Sequence, residues 1–134
     1  MGTRSGVCGI VQPIALIVED DDKLAEIFSE AVKAAGFEAV VAVDGRSALD
    51  LLPSITPTLI LLDLHLPHIS GSDVLAAIRQ EAHLQNSVIM LTTADAWLAE
   101  TLRPEVDFVL LKPISFVQLR HLAGRLRPSS NPSS

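Results

Sequence analysis

Four short apolar runs recur along the chain, and each gives way to a polar residue of a kind that binds metal or phosphate. Ala15 to Val18 runs into Glu19, Asp20 and Asp21, and Leu59 to Leu62 runs into Asp63. Val88 to Leu91 runs into Thr92 and Thr93, and Phe108 to Leu111 into Lys112-Pro113. Runs this short, branched and free of polar interruption read as parallel strands covered on both faces. Between the runs the period changes. Leu24, Ile27, Phe28, Ala31, Val32 and Ala35 recur at helical spacing, and Gly36 stops that helix. FEAVVAV, residues 37–43, alternates as a further strand. Asp44-Gly45 predicts a turn, followed by a short helix from Ser47 to Leu52 that Pro53 ends. Ser70-Gly71-Ser72 supplies a turn and an N-cap for a helix through Gln80, with Val74, Leu75 and Ile78 inward. A helix around Ala94–Leu102 is predicted next, ended by Arg103-Pro104. A last helix is capped by Ser115 and buried through Leu119, Leu122 and Leu126.

Five strand-helix units in succession imply right-handed crossovers and an α/β, doubly wound parallel sheet. The strand order 2-1-3-4-5 sets the first and third strands side by side, so that Glu19 and Asp20 meet Asp63 at the topological switch point. Residues 14–126 form this domain, preceded by a lead-in over 1–13 and followed by a Pro/Ser tail over 127–134. No internal repeat or second domain fits. The chain is 49% hydrophobic and 19% charged, which places it with globular proteins. A formal net charge of −6 argues against a nucleic-acid surface. Arg120, Arg125 and Arg127 cluster near the end, either complementing a helix C-terminus or forming a basic edge for a partner. No apolar stretch approaches the ~20 residues of a membrane span, and the N-terminus lacks the apolar core of a secretory signal, so a cytoplasmic location is expected. The single cysteine, Cys8, lies outside the patterned region and reads as an incidental thiol. Trp97 is expected to pack in the core; exposed, it would point to a partner surface.

The strand ends carry the chemistry. Clustered carboxylates repel one another unless a cation or Lys112 compensates them. An oxygen-rich site of this kind suits Mg²⁺, which keeps several waters and takes one or two carboxylates from a protein. Asp63 is either a further ligand or a nucleophile able to form an acyl phosphate. Lys112 offers an ammonium and Thr92 a hydroxyl for phosphoryl oxygens, in a transfer governed by positioning and charge neutralisation.

In this order LIVEDD, LILLDLHLP with Gly71 eight residues after Asp63, VIMLTT and LLKP resemble the receiver domains of two-component response regulators, across residues 14–126. The resemblance implies a chemotaxis-regulator-like, flavodoxin-like fold: a five-stranded parallel sheet in the order 2-1-3-4-5 with helices on both faces. It implies Asp63 as phosphoacceptor, Thr92 and Lys112 as the residues contacting the phosphoryl group, and Mg²⁺ as cofactor. Asp20 would ligate the metal directly, Glu19 mainly through water, and His65 through its backbone carbonyl. Lys112-Pro113 becomes a candidate cis bond. Thr93, Ala94, His65 and Val109 take positions that modulate the site.

The chain departs from the family pattern in four places. Val109 stands where the family has an aromatic switch residue, and Phe108, one residue early, should face the opposite side of its strand. Thr93 replaces a small residue and would crowd the phosphoryl pocket. The segment from Thr92 to Lys112 is short. His65 overhangs the site two residues after the phosphoacceptor, as an exposed loop histidine or as a modulator of phosphoryl lifetime. The reading that follows is a phosphoacceptor module that takes its phosphoryl group from a histidine kinase or phosphotransfer protein and signals to a downstream protein target. It would be no enzyme beyond its own phosphoryl transfer and dephosphorylation. With no output domain after residue 126 it is expected not to contact DNA itself, as a stand-alone module or as a piece of a larger regulator or hybrid kinase. Two rivals stay open: a phosphorylation-independent pseudo-receiver, and a Mg²⁺-dependent phosphohydrolase with an aspartyl nucleophile. The second would want a carboxylate where His65 stands.

Overall fold

Each of the five α-helices in the computed structural model, which describes residues 12–128, starts on a side-chain cap at the same edge of one sheet. Five parallel strands lie in the order β2-β1-β3-β4-β5: β1 Ile14–Val18, β2 Glu38–Ala42, β3 Leu59–Asp63, β4 Val88–Thr93 and β5 Phe108–Leu111. The helices are α1 Asp22–Ala34, α2 Gly45–Leu51, α3 Gly71–Gln80, α4 Ala96–Leu102 and α5 Phe116–Leu126. Short 3-10 turns at Ala82–Leu84 and Arg103–Glu105 follow α3 and α4. The predicted order and fold class are the observed ones. The lead-in before Gln12, including Cys8, and the tail after Pro128 lie outside the described residues.

Alternation along the strands divides the core into two layers. Leu16, Val18, Ile60, Leu62, Ile89 and Leu91 face α2, α3 and α4, where Ala48, Val74, Leu75 and Ile78 meet them. Ala15, Ile17, Leu59, Leu61 and Met90 face α1 and α5, packing on Phe28, Val32, Leu119 and Ala123. Central β3 is buried along its whole length, as expected of its most apolar run. The offset predicted for β5 is observed: Val109 packs with the α2-α3-α4 layer and Phe108 with the α1-α5 layer.

The caps decide where the chain leaves the sheet. Asp21, Asp44, Ser70, Asp95 and Ser115 each accept an N–H from three residues on, at Leu24, Ser47, Asp73, Leu98 and Gln118. Each such cap stabilises its helix by about 1 kcal/mol. Asp44 therefore caps α2 rather than only turning the chain, and the helix starts at Gly45, before the predicted Ser47. A Cβ on Gly45 would stand 2.7 Å from Ile69 Cβ, so α2 begins against the loop that follows β3. Helix α4 begins at Ala96 instead of Ala94 because Asp95 is its cap. Gly36, with φ +101°, ends α1 as predicted. Among the described residues no helix is long and apolar enough to cross a membrane.

Three burial expectations change. Trp97 is 82% exposed, because it lies about 200° around the helix from Ala99, the residue α4 buries. Ile27 is 40% exposed: the buried stripe of α1 centres on Phe28 and Val32, about 100° and 140° away. On α5 the deeply buried pair is Leu119 and Ala123, with Leu122 and Leu126 half-buried at the rim. Of the three clustered arginines, Arg127 reaches back to Gly36 at the C-terminal end of α1, and Arg120 stands 6.0 Å from the Phe116 ring.

Candidate phosphoryl and metal site

The C-terminal edge of the sheet collects the polar strand ends. Glu19 continues β1, its N–H donating to the Ala42 carbonyl at 3.1 Å, and Asp63 closes β3. Both are buried, whereas Asp20 beside them is exposed. One carboxylate oxygen from each of Glu19, Asp20 and Asp63 lies within 4.8 Å of the others. Asp21 is not among them, because its carboxylate caps α1. Thr92 is the register partner of Asp63 across β3 and β4, and is buried. Lys112 follows β5, its N–H donating to the Thr93 carbonyl at 2.8 Å. Its side chain crosses the site, with Nζ 3.0 Å from Glu19 Oε1 and 3.5 Å from Asp63 Oδ2. The Lys112-Pro113 bond is cis.

These distances define the electrostatics. Burial pushes the Glu19 carboxyl above its ordinary value; the Lys112 hydrogen bond opposes the rise, and the neighbouring Asp63 charge adds to it. Three carboxylates against one ammonium leave a formal charge of about −2, which a single divalent cation would cancel. Buried Glu19 is already held by Lys112 and by the Asp21 N–H at 3.2 Å, leaving Asp20 as the carboxylate open to solvent. The donors are all oxygen, which fits Mg²⁺ and does not suit a soft metal.

The loops around the cluster hold the remaining predicted residues. The His65 N–H donates to Asp63 Oδ1 at 3.2 Å, while its exposed imidazole has Nε2 3.8 Å from Asp95 Oδ2. Thr93 is buried, and its hydroxyl oxygen accepts the Asp95 N–H at 3.0 Å, tightening the turn into α4. Ala94 is exposed in that turn. Gly71 sits under the site: a Cβ there would stand 2.6 Å from Leu64 Cα and also collide with the Asp63 carbonyl. Its N–H donates to the Leu64 carbonyl at 3.1 Å, so the start of α3 is clamped against the end of β3. Asp95 escaped sequence reasoning. The signal available for it was an aspartate just ahead of a helical apolar pattern.

The chain belongs to the response regulator receiver domain family, whose pattern it matches over residues 15–123. It is 40% identical over 114 residues to the transcriptional regulatory protein CpxR of Escherichia coli K12, a match covering 84% of this chain and 47% of CpxR. The chain thus spans about half the length of the curated relatives it matches. Its fold superimposes on the chemotaxis response regulator CheY4 of Vibrio cholerae with a TM-score of 0.79 at 22% identity, covering 87% of this chain and 99% of that one. A receiver domain of a Pseudomonas aeruginosa PAO1 sensor histidine kinase, at TM-score 0.77 and 22% identity, covers 87% of this chain and 98% of its own and carries a magnesium ion in its active-site cleft.

Proposed function

We propose that this domain accepts a phosphoryl group on Asp63 and signals by changing the surface it offers to a protein partner. The observation that carries the reading is the buried Asp63 carboxylate, placed beside the Lys112 ammonium and within 4.8 Å of the Glu19 and Asp20 oxygens. The donor would be the phosphohistidine of a histidine kinase or phosphotransfer protein. An Asp63 oxygen attacks phosphorus, the P–N bond breaks, and its electron pair stays on the departing imidazole, which takes up a proton. Lys112 neutralises charge on the phosphoryl oxygens and Thr92 donates its hydroxyl to one of them. Glu19, Asp20, Asp63 and the His65 carbonyl would hold Mg²⁺, which supplies further charge neutralisation when bound.

The module turns over no external substrate in this reading. A kinase donor fits a cytoplasmic setting, and the downstream target would be a protein. Relatives such as CpxR are named as transcriptional regulators, so a DNA-binding partner region is a natural recipient of the signal. Val109, which has no ring to rotate, favours a second reading as a pseudo-receiver that binds its partner without phosphorylation. Acetyl phosphate with Mg²⁺, followed by intact-mass measurement, separates the two. The proposal expects a gain of about 80 Da that is lost with chelator or in Asp63→Asn. No gain in the wild type would favour the pseudo-receiver.

A further inference from the structure

Asp63 and the first turn of α4 are joined by a chain of contacts that the proposed phosphoryl chemistry does not itself require. The His65 N–H is on Asp63 Oδ1, the His65 imidazole faces Asp95 Oδ2, and Asp95 Oδ1 accepts the Leu98 N–H at 2.9 Å. The two oxygens of one carboxylate thus serve two elements: the loop after β3 and the N-terminus of α4. The Asp95 N–H is itself held by Thr93 at the end of β4. Beyond its cap, α4 buries Ala99 and packs the half-buried Leu98 and Leu102 against the core, and the 3-10 turn that follows it is tied through the Arg79 guanidinium to the Glu105 carbonyl.

We propose that Asp95 is a positioning residue that couples the chemical state of Asp63, through His65, to the first turn of α4. The inference rests on the phosphoacceptor reading above. Phosphorylation moves the negative charge of Asp63 from its carboxyl onto the phosphoryl oxygens, so Oδ1 becomes a weaker acceptor for the His65 N–H. The phosphoryl group also offers the His65 imidazole a new acceptor in competition with Asp95. Either change loosens the His65–Asp95 pair and frees a carboxylate that caps α4. A route through this pair also suits a β5 whose Val109 lacks a ring and whose Phe108 faces the other layer.

Trp97 lies two residues beyond Asp95, is 82% exposed and is the one tryptophan of the chain, so its emission reports on this turn. The experiment adds beryllofluoride with Mg²⁺ to the full chain and follows that emission. Acetyl-phosphate uptake is measured by mass in parallel. Asp95→Asn keeps a good helix cap but removes the charge facing His65. It should take up the phosphoryl group as the wild type does, with its Trp97 response reduced about twofold or more, and His65→Ala should reduce the response equally, with no further loss in the double variant. Asp95→Ala, which also drops the cap, separates lost capping from lost coupling, because only that variant should lose helix content before beryllofluoride is added. A full response in Asp95→Asn, or losses that add in the double variant, would overturn the coupling. A wild type that gains no mass would overturn the phosphoacceptor reading itself, and the coupling with it.

Discussion

Gly71→Ala adds one methyl group where the start of α3 crosses the end of β3. The new Cβ would lie 2.6 Å from Leu64 Cα, about 0.8 Å inside the 3.4 Å at which ordinary contact begins, and it would also meet the Asp63 carbonyl. All of these atoms are backbone, so no side chain can rotate away, and either α3 or the strand end must move. Overpacking of this kind costs about 1–3 kcal/mol. The strand end that would move carries Asp63, and a displacement approaching 1 Å at a reacting group costs on the order of 10²-fold in rate. Urea unfolding should therefore show a lower midpoint at unchanged slope. Acetyl-phosphate uptake should slow by at least about tenfold. Gly124→Ala is the control: its Cβ would find nothing nearer than Ala35 Cβ at 4.0 Å, and in a helix interior alanine should stabilise by up to about 1 kcal/mol. If Gly71→Ala matched the wild type in both stability and uptake, the close approach could not be what positions Asp63.

Further expectations follow from the same geometry. Asp63→Asn removes one of two neighbouring buried carboxylates while Lys112 keeps Glu19, so its stability should stay within about 1 kcal/mol of wild type, on the stabilising side; a loss of about 3 kcal/mol in urea would make Asp63 structural. The native Glu19 carboxyl, raised by burial, holds its proton above the unfolded value of 4.5, so the metal-free fold loses stability as pH rises through that window. Mg²⁺ needs the ionised form, so its affinity, read by amide shifts in a titration, should climb over the same window; a pH-independent affinity would exclude Glu19 from the metal site, and an Asp20→Asn response equal to wild type would exclude Asp20. Asp44 is held below its ordinary 3.8 by the Ser47 N–H, so its contribution is present above 3.8 and is lost as pH falls further. Asp44→Asn, which still caps, should flatten that part of an acid unfolding curve, and an unchanged acid limb would count against the cap.

The site was readable wherever its residue directly follows a buried strand. Glu19, Asp63, Thr92 and Lys112 each come just after or at the end of an apolar run, and parallel strands deliver those positions to one edge regardless of the loops between them. Period-2 alternation likewise puts Phe108 and Val109 on opposite faces of the sheet from the sequence alone. What stayed hidden depends on distance in the loops or on fine helical phase. Asp95 looks like any loop aspartate until α4 folds back beside the turn after β3 and places it opposite His65. Trp97 and Ile27 are apolar residues on helical stretches, and a difference of about 100° to 200° in phase decides between core and solvent. The close approach at Gly71 is a tertiary contact between α3 and β3, which a glycine in sequence only permits.

In the proposed function Asp63, and no other carboxylate in the cluster, takes the phosphoryl group. Borohydride reduces an acyl phosphate to the corresponding alcohol, so an aspartyl phosphate is converted in place to homoserine. Phosphorylating the protein with acetyl phosphate and Mg²⁺, reducing it, and sequencing the peptides by mass spectrometry reads the site directly. Homoserine is expected at position 63 alone, with none when Mg²⁺ is chelated. Conversion at position 20, an equivalent reduction at Glu19, or no conversion at all would contradict it.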